Sequence, residues 1–566
     1  MKDSTWWKHA VLYEIYPRSF QDSNGDGVGD LRGITQRMDY LERLGVDAIW
    51  IAPMYPSPQV DFGYDVSDYE AIDPQYGTLA DFKDLQAAAA KRHMRVLIDM
   101  VMNHTSDKHK WFQESMTSRT NPRADWYVWN DGIRADSIGV TEYQKRFQHD
   151  GMVPPNNWIS GFGGSAWEWV PARKQFYYHR FYVQQPDLNW NNPAVEKAMF
   201  DTLRFWLDKG VAGFRLDAIP TLFEDPQLRD NPVAKPGVNA QGDPNLGDLY
   251  TDNLQKDHEV IVRMRKLVES YPGNRVLVGE TYLPNTAELD KWYGGEAGNE
   301  LQLPMDLLLG FNGNARQYSA ANFRKYLTEA ETELRGRQPL FVFDNHDNVR
   351  SIDRFGDGAN NAARAKTIAA LLLTVKGAAL TYYGAELGMP TTPPTRREDV
   401  KDPTGITGWP TEKGRDGERT PMQWTPGPQA GFSTNAKTWL PIPPSYTSIN
   451  VETESADPDS LLNWHRQLIA LRRGNVALRD GGMVMLDTSN ESVLSYVRTT
   501  GAGSKPVLVS MNLSAAPQMV SNVLAGSTLA ADMARTLLST DKATQVSQTL
   551  KTFTLPPFGV WVAELQ

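Results

Sequence analysis

One pattern constrains this chain more than any other. Short β-branched or aromatic runs alternate with amphipathic helical stretches through most of its 566 residues. Strand character appears at 11–16, 47–53, 95–103, 213–218, 275–280, 300–307, 340–344 and 379–383. Helical periodicity lies between these runs, in stretches such as 33–44, 78–92, 193–209, 254–270, 322–334 and 360–376. Apolar residues there recur every three or four positions, as one buried face requires. Eight strand–helix repeats in this order predict an α/β fold. The parallel strands are expected to close into a (β/α)8 TIM barrel rather than form an open doubly wound sheet.

Two segments interrupt the alternation. Residues 105–178, rich in Trp, Asn, Pro and Gly, are too long for a βα loop and read as a small domain inserted after the third strand. Residues 389–446, after the eighth strand, are loop-like. Beyond a helix at 460–473 only strands remain, at 492–498, 506–513, 549–555 and 560–565, which predicts a C-terminal antiparallel β-domain. The expected division is a barrel at 1–104 and 179–475, an inserted domain at 105–178 and a C-terminal β-sandwich at 476–566.

Composition removes several classes of function. With 58 basic and 68 acidic residues the net charge is −10, which argues against nucleic acid or an anionic membrane as partner. There is no cysteine, hence no disulfide, thiolate metal site or cysteine nucleophile. No window approaches the roughly 18–20 apolar residues of a membrane span. The start, Met1-Lys2-Asp3-Ser4-Thr5-Trp6-Trp7, has no apolar signal region. A cytoplasmic location is expected, or a periplasmic or secreted one if a signal has been removed. The 17 Trp, 22 Tyr and 20 Phe suit core packing and equally suit the C–H faces of sugars, and composition does not choose.

In such a barrel, chemistry gathers at the C-terminal ends of the strands. The third strand ends in Asp99-Met100-Val101-Met102-Asn103-His104, the fourth in Gly213-Phe214-Arg215-Leu216-Asp217-Ala218 and the fifth in Val278-Gly279-Glu280-Thr281. The seventh runs into Phe343-Asp344-Asn345-His346-Asp347-Asn348. A single strand-end acid is commonly a helix cap. Several on one face, interleaved with His104, His346 and Arg215, point instead to a cluster whose members cannot all ionise together. Glycoside hydrolysis uses such a cluster, and divalent metal chemistry is the other use.

These residues resemble the signature regions of the α-amylase family of glycoside hydrolases. Asp99-x-Val101-x-Asn103-His104, Gly213-Phe214-Arg215-x-Asp217, Gly279-Glu280 and Asn345-His346-Asp347 stand in the family order. Gln185-Pro186-Asp187-Leu188-Asn189 is similar to the region that marks the oligo-1,6-glucosidase and α-glucosidase branch. The resemblance implies Asp217 as nucleophile with Arg215 holding it ionised, Glu280 as acid and then base, and Asp347 as ligand of the sugar 2- and 3-hydroxyls. It implies further hydrogen bonds from His104 and His346, and Tyr64 stacked under the same ring. Asp61 and Arg419 match a pair that clamps the non-reducing 4-hydroxyl, which implies exo action. The implied substrate is a small oligosaccharide, maltose or malto-oligosaccharides, with transglucosylation at high substrate. No organic cofactor is implied, and the protein would be a monomer or homodimer.

Near the start, Asp22-Ser23-Asn24-Gly25-Asp26-Gly27-Val28-Gly29-Asp30 offers oxygen ligands at positions one, three, five and nine, and the Val28 carbonyl at seven. An EF-hand is excluded because Gly33 stands at position twelve, where glutamate is needed. A run of Asx turns would look similar. The loop resembles the structural Ca2+ site of this branch, with Asp22, Asn24, Asp26, Val28 and Asp30 as ligands. Ala218 after the nucleophile is similar to relatives acting on α-1,4 links, although a methyl-scale contact is worth only about 1–3 kcal/mol. Ala218-Ile219-Pro220 also looks like trehalose synthases, so an α-glucosyltransferase or disaccharide isomerase using the same triad is the alternative. Val349 replaces a proline common in relatives. The segment 305–317 carries only Arg316, unlike the arginine-rich loop of sucrose isomerases.

Overall fold

Side-chain parity along eight parallel strands decides both the core and the position of the site. The computed structural model describes every residue except 1–4, 240–241, 312–316, 487–489, 502 and 545. The strands are β1 (Val11–Ile15), β2 (Ala48–Ile51), β3 (Arg95–Val101), β4 (Gly213–Asp217), β5 (Val276–Gly279), β6 (Leu303–Asp306), β7 (Leu340–Val342) and β8 (Ala378–Tyr382). They pair in sequence order and close where β1 meets β8, with Val11 opposite Ala379. All eight expected strands are therefore in the barrel; seven are shorter than expected by a residue or more at their ends, and β8 keeps its length but starts one residue earlier.

Successive side chains on a strand point to opposite faces. Leu12, Ala48, Trp50, Leu97, Val276, Val278, Leu303, Met305, Leu340, Val342, Ala378 and Leu380 fill the barrel interior. Val11, Tyr13, Ile15, Ile49, Ile51, Val96, Ile98, Phe214, Leu216 and Leu277 pack outward against the helices. The same parity, carried two residues further, brings Glu14 above Leu12, Asp99 above Leu97 and Glu280 above Val278, at the C-terminal mouth.

Helices cover the barrel where the apolar period predicts them, including Leu79–Lys91, Pro193–Asp208 and Gln255–Glu269. Thr78 starts the first of these with a capping box, its hydroxyl accepting from the Asp81 amide while the Asp81 carboxylate accepts from the Thr78 amide. The expected helix at 33–44 is instead two, Leu31–Gln36 and Met38–Leu44, broken at Arg37.

Between β3 and β4, Trp129–Asn130, Gln175–Tyr178 and Trp167–Val170 form a small antiparallel sheet. Trp158, Trp167, Trp169, Phe176 and Tyr178 make its core, so the tryptophans of this segment are packing residues. An exposed hairpin, Val233–Val238 with Pro244–Leu246, follows β4 and has no counterpart in the sequence-based reading. Its first strand contains Pro236-Gly237, which weakens any strand signal.

At the C-terminus, Gly482–Met485, Val493–Thr499, Val507–Asn512, Val560–Leu565, Met533–Ser539 and Ser547–Thr549 form one antiparallel sheet. Gln518–Ser521 pairs with Thr552–Leu555 beside it. No helix among the described residues is long and apolar enough to cross a membrane.

Candidate active site

One guanidinium organises the barrel mouth. Arg215 is fully buried on β4, and its Nη1 lies 3.1 and 3.0 Å from the two oxygens of Asp99 and 2.6 Å from Asp217 Oδ1. Its Nη2 lies 2.9 Å from Glu280 Oε1. The other Glu280 oxygen accepts the Ala218 amide at 2.9 Å. That bond requires a turn immediately after β4, and Ala218 makes it at φ 42°, ψ 38°, in the left-handed region. A non-glycine residue there costs on the order of 1 kcal/mol or more, and such strain tends to collect at functional sites.

Three carboxylates thus face one cation. Burial pushes Asp217 up to about 7 and Glu280 up to about 7, opposed by Arg215 and reinforced by neighbouring acids. Burial likewise pushes Asp99 up to about 6 against the pull of Arg215. Full ionisation would leave two uncompensated buried charges, so near neutrality the group retains a proton. Asp99 also accepts from Tyr64 Oη at 3.0 Å and Trp50 Nε1 at 3.1 Å, which occupies it structurally. Asp217 and Glu280 remain as a pair in which one group is charged and the other protonated.

Asp347 is in a different state. Its Oδ1 accepts from Arg415 Nη1 at 2.9 Å and Arg419 Nη2 at 2.8 Å, and its Oδ2 lies 3.2 Å from His346 Nε2. Burial alone would raise its pKa, but the guanidiniums of Arg415, Arg419 and Arg215 outweigh burial and hold it well below the usual carboxylate range. It is a fixed anion. His104 and His346 are both buried and pushed down by burial, His104 to about 4, so both rings are neutral at pH 7.

The expected clamp between Asp61 and Arg419 is corrected by the structure. Asp61 Oδ1 pairs with Arg415 Nη2 at 2.6 Å, and its Oδ2 accepts from Gln185 Nε2 at 3.0 Å. Arg415 is fixed from behind by Asp402, with Nε 2.8 Å from Oδ2. Arg419 is fully buried and spends its donors on Asp347 and, from Nε at 2.7 Å, on the His346 carbonyl. Both arginines belong to the segment Gly414–Trp424, so the motif was legible while the choice between positions four residues apart was not.

These groups surround a cavity of about 480 Å3. Asp61, Tyr64, His104, Asp217, Glu280, His346, Asp347 and Arg415 line it, and Arg419 does not. Tyr64 lies parallel to the His346 ring, 5.1 Å between centroids and 7° between planes. Gly161 and Phe162 of the inserted segment and Ala218, Pro220 and Tyr282 form the outer walls. Gln185, Arg415 and Tyr282 are cavity residues that sequence reasoning did not assign. Val349 is exposed and outside the lining. In the segment 305–317, residues 312–316, including Arg316, lie outside those described.

The loop at 22–30 is built of Asx turns. Asp22 Oδ1 accepts the amides of Asn24 and Gly25, and its Oδ2 accepts the Gly27 amide. Asp26 Oδ1 accepts the Val28 amide, and Asp30 accepts the Gly33 amide as the N-cap of the next helix. The donor set is all oxygen, as a hard cation prefers. Among the described residues, however, no three His, Asp or Glu side chains converge as a metal-holding group.

Comparison with known proteins shows the family. The family described as "Alpha amylase, catalytic domain" matches residues 14–481. A protein of Rhizobium meliloti (strain 1021) named as a probable α-glucosidase is 41% identical over 520 residues, covering 88% of this chain and 88% of its own. The crystal structure of the α-glucosyl transfer enzyme XgtA superposes with a TM-score of 0.86 at 40% identity, covering 99% of both chains. The trehalulose synthase MutB from Pseudomonas mesoacidophila MX-45 superposes with a TM-score of 0.83 at 33% identity, again over 99% of both. The chain belongs to the α-amylase family of glycoside hydrolases.

Proposed function

We propose that the protein is an exo-acting, retaining α-glucosidase that releases glucose from the non-reducing end of short α-glucosides. One observation carries this reading: Asp217 and Glu280, each pushed up to about 7, are held by the two ends of one guanidinium at the wall of a cavity. Carboxylates side by side on a single arginine suit the about 5–5.5 Å spacing of a retaining pair. Asp217 attacks the anomeric carbon as Glu280 protonates the leaving oxygen, giving a covalent glucosyl-enzyme. Glu280, now a carboxylate, takes a proton from water, and the hydroxyl displaces Asp217. Asp347, His104 and His346 grip the sugar hydroxyls, and Tyr64 supports the ring, contacts that count most when they tighten in the transition state. The barrel segments 1–104 and 179–475 carry the chemistry, while 105–178 walls one side of the cavity and 476–566 stands apart from it.

Arg415 with Asp61 closes the cavity floor in this reading, so only a terminal glucose enters. Arg415→Ala leaves Asp61 and Asp347 each short of a cation and is expected to lower kcat/KM for maltose about 10²-fold, mainly through KM. Steady-state kinetics check this, and an unchanged KM would contradict the clamp.

Ala218 favours maltose-type links, and a panel of maltose, isomaltose, sucrose, trehalose and nigerose tests that preference, with maltose expected first. The names of the two superposed structures favour a second reading in which a sugar, not water, takes the glucosyl group. The same triad serves both reactions. On dilute maltose glucose is expected, on concentrated maltose trisaccharides as well, and trehalose as the main product would replace hydrolysis with isomerisation.

We also propose one structural Ca2+ at Asp22, Asn24, Asp26, the Val28 carbonyl and Asp30, supported by their all-oxygen chemistry. One millimolar Ca2+ is expected to raise Tm by about 3 °C over EDTA, since a ligand of the folded state alone stabilises it. The absence of any shift would dismiss the site.

A further inference from the structure

The barrel mouth holds one more acid that the reading above leaves unused. Glu14 is completely buried on β1, between Trp50 of β2 and Tyr382 of β8 in register. Its Oε1 lies 2.7 Å from Nδ1 of His346. The other ring nitrogen, Nε2, lies 3.2 Å from Asp347 Oδ2, so the imidazole bridges two carboxyl groups. Two tyrosines stack on the ring, Tyr64 at 5.1 Å and Tyr16 at 5.6 Å between centroids. Stacking fixes the plane of the imidazole but not which nitrogen carries hydrogen.

For a neutral ring, its two hydrogen-bond partners fix the tautomer. Asp347 is ionised by Arg415 and Arg419 and can only accept, so Nε2 must carry a hydrogen. A neutral ring then presents a lone pair at Nδ1, which needs a donor, and the facing atom belongs to Glu14. The Glu14–His346 pair therefore holds two protons and no net charge. Its surroundings agree: burial pushes the Glu14 carboxyl up, Arg215 of β4 opposes this, and Asp347, Asp99 of β3 and Glu280 of β5 reinforce it. Without Glu14, the buried Nδ1 lone pair loses its donor, and the ring loses one of the two hydrogen bonds that hold its Nε2–H toward Asp347 and the cavity.

We propose that Glu14 is a positioning residue for the glycosidase reaction: its carboxyl group, hydrogen-bonded to His346 Nδ1, holds the imidazole as the Nε2–H tautomer toward Asp347 and the substrate. This rests on the α-glucosidase reading and deepens it. Glu14 touches no substrate and acts only through His346.

Two substitutions separate this role from a structural one. Glu14→Met keeps length and volume, removes the hydrogen bond and takes a polar group out of an apolar barrel. It is expected to lower kcat/KM for an aryl α-glucoside about 10²-fold, mostly in kcat, while Tm holds or rises. Glu14→Gln keeps a donor for Nδ1 through its amide and is expected to stay within about 5-fold of the native enzyme. In a His346→Ala background, Glu14→Met should change kcat/KM by less than about 3-fold, because the residue it acts through is gone. A Gln variant as impaired as Met, penalties that multiply in the double variant, or a Met variant whose Tm falls along with its activity would each overturn the proposal. A native enzyme inert toward every α-glucoside would instead overturn the glycosidase reading, and this one with it.

Discussion

Asp217→Asn is expected to lower turnover of an aryl α-glucoside by about 10⁴-fold or more while the protein stays folded. An amide cannot form the glucosyl ester, and the double displacement has no substitute nucleophile among the neighbours. Asp99 is held by Arg215, Tyr64 and Trp50, and Asp347 by two arginines. The fold should be preserved because Asn keeps an oxygen for the 2.6 Å contact with Arg215 and removes one of three acids crowded on that cation. Tm within about 2 °C of the native value, or above it, is expected. Steady-state kinetics and a melting curve on the same preparation check both halves. More than about a tenth of native activity would end the assignment of Asp217.

Arg215→Leu should be the most damaging single change to stability and activity together. Asp99, Asp217 and Glu280 would lose the cation they share, and breaking a buried ion pair from one side costs about 3–5 kcal/mol. Activity should fall more than about 10³-fold, because Asp217 would hold its proton and cease to be a nucleophile. The pH dependence follows from the direction of the shifts. Asp99, Asp217 and Glu280 already lie above the ordinary carboxyl range, and loss of Arg215 raises them further. A carboxyl raised in the folded state binds more protons there than in the unfolded chain, so folding stability rises as pH falls. The variant should therefore regain part of its lost Tm between about pH 7 and 5, relative to the native protein. A deficit independent of pH would mean that the loss is one of packing rather than charge.

The barrel was legible because period-two parity and apolar runs both act locally, and all eight strands fall where those runs lie. The strand-end acids were legible for the same reason: Asp99, Asp217 and Glu280 continue strands whose direction the pattern already sets. Contacts between distant loops were not. Arg415 and Arg419 share a motif, and only the path of the chain after β8 decides that Arg415 reaches Asp61, 354 residues away in sequence. Glu14 resembles any buried strand residue until closure of the barrel brings β1 within reach of the loop after β7. The hairpin after β4 was missed because its exposed strand has no buried face to impose a period.

The central claim is a double displacement through Asp217, and the anomer of the first glucose released tests it most directly. Proton NMR of maltose hydrolysis, followed within the first minutes before mutarotation mixes the anomers, should show α-glucose accumulating first. β-Glucose as the first product would mean a single inversion, and would contradict the glucosyl-enzyme and the assignment of Asp217 as nucleophile.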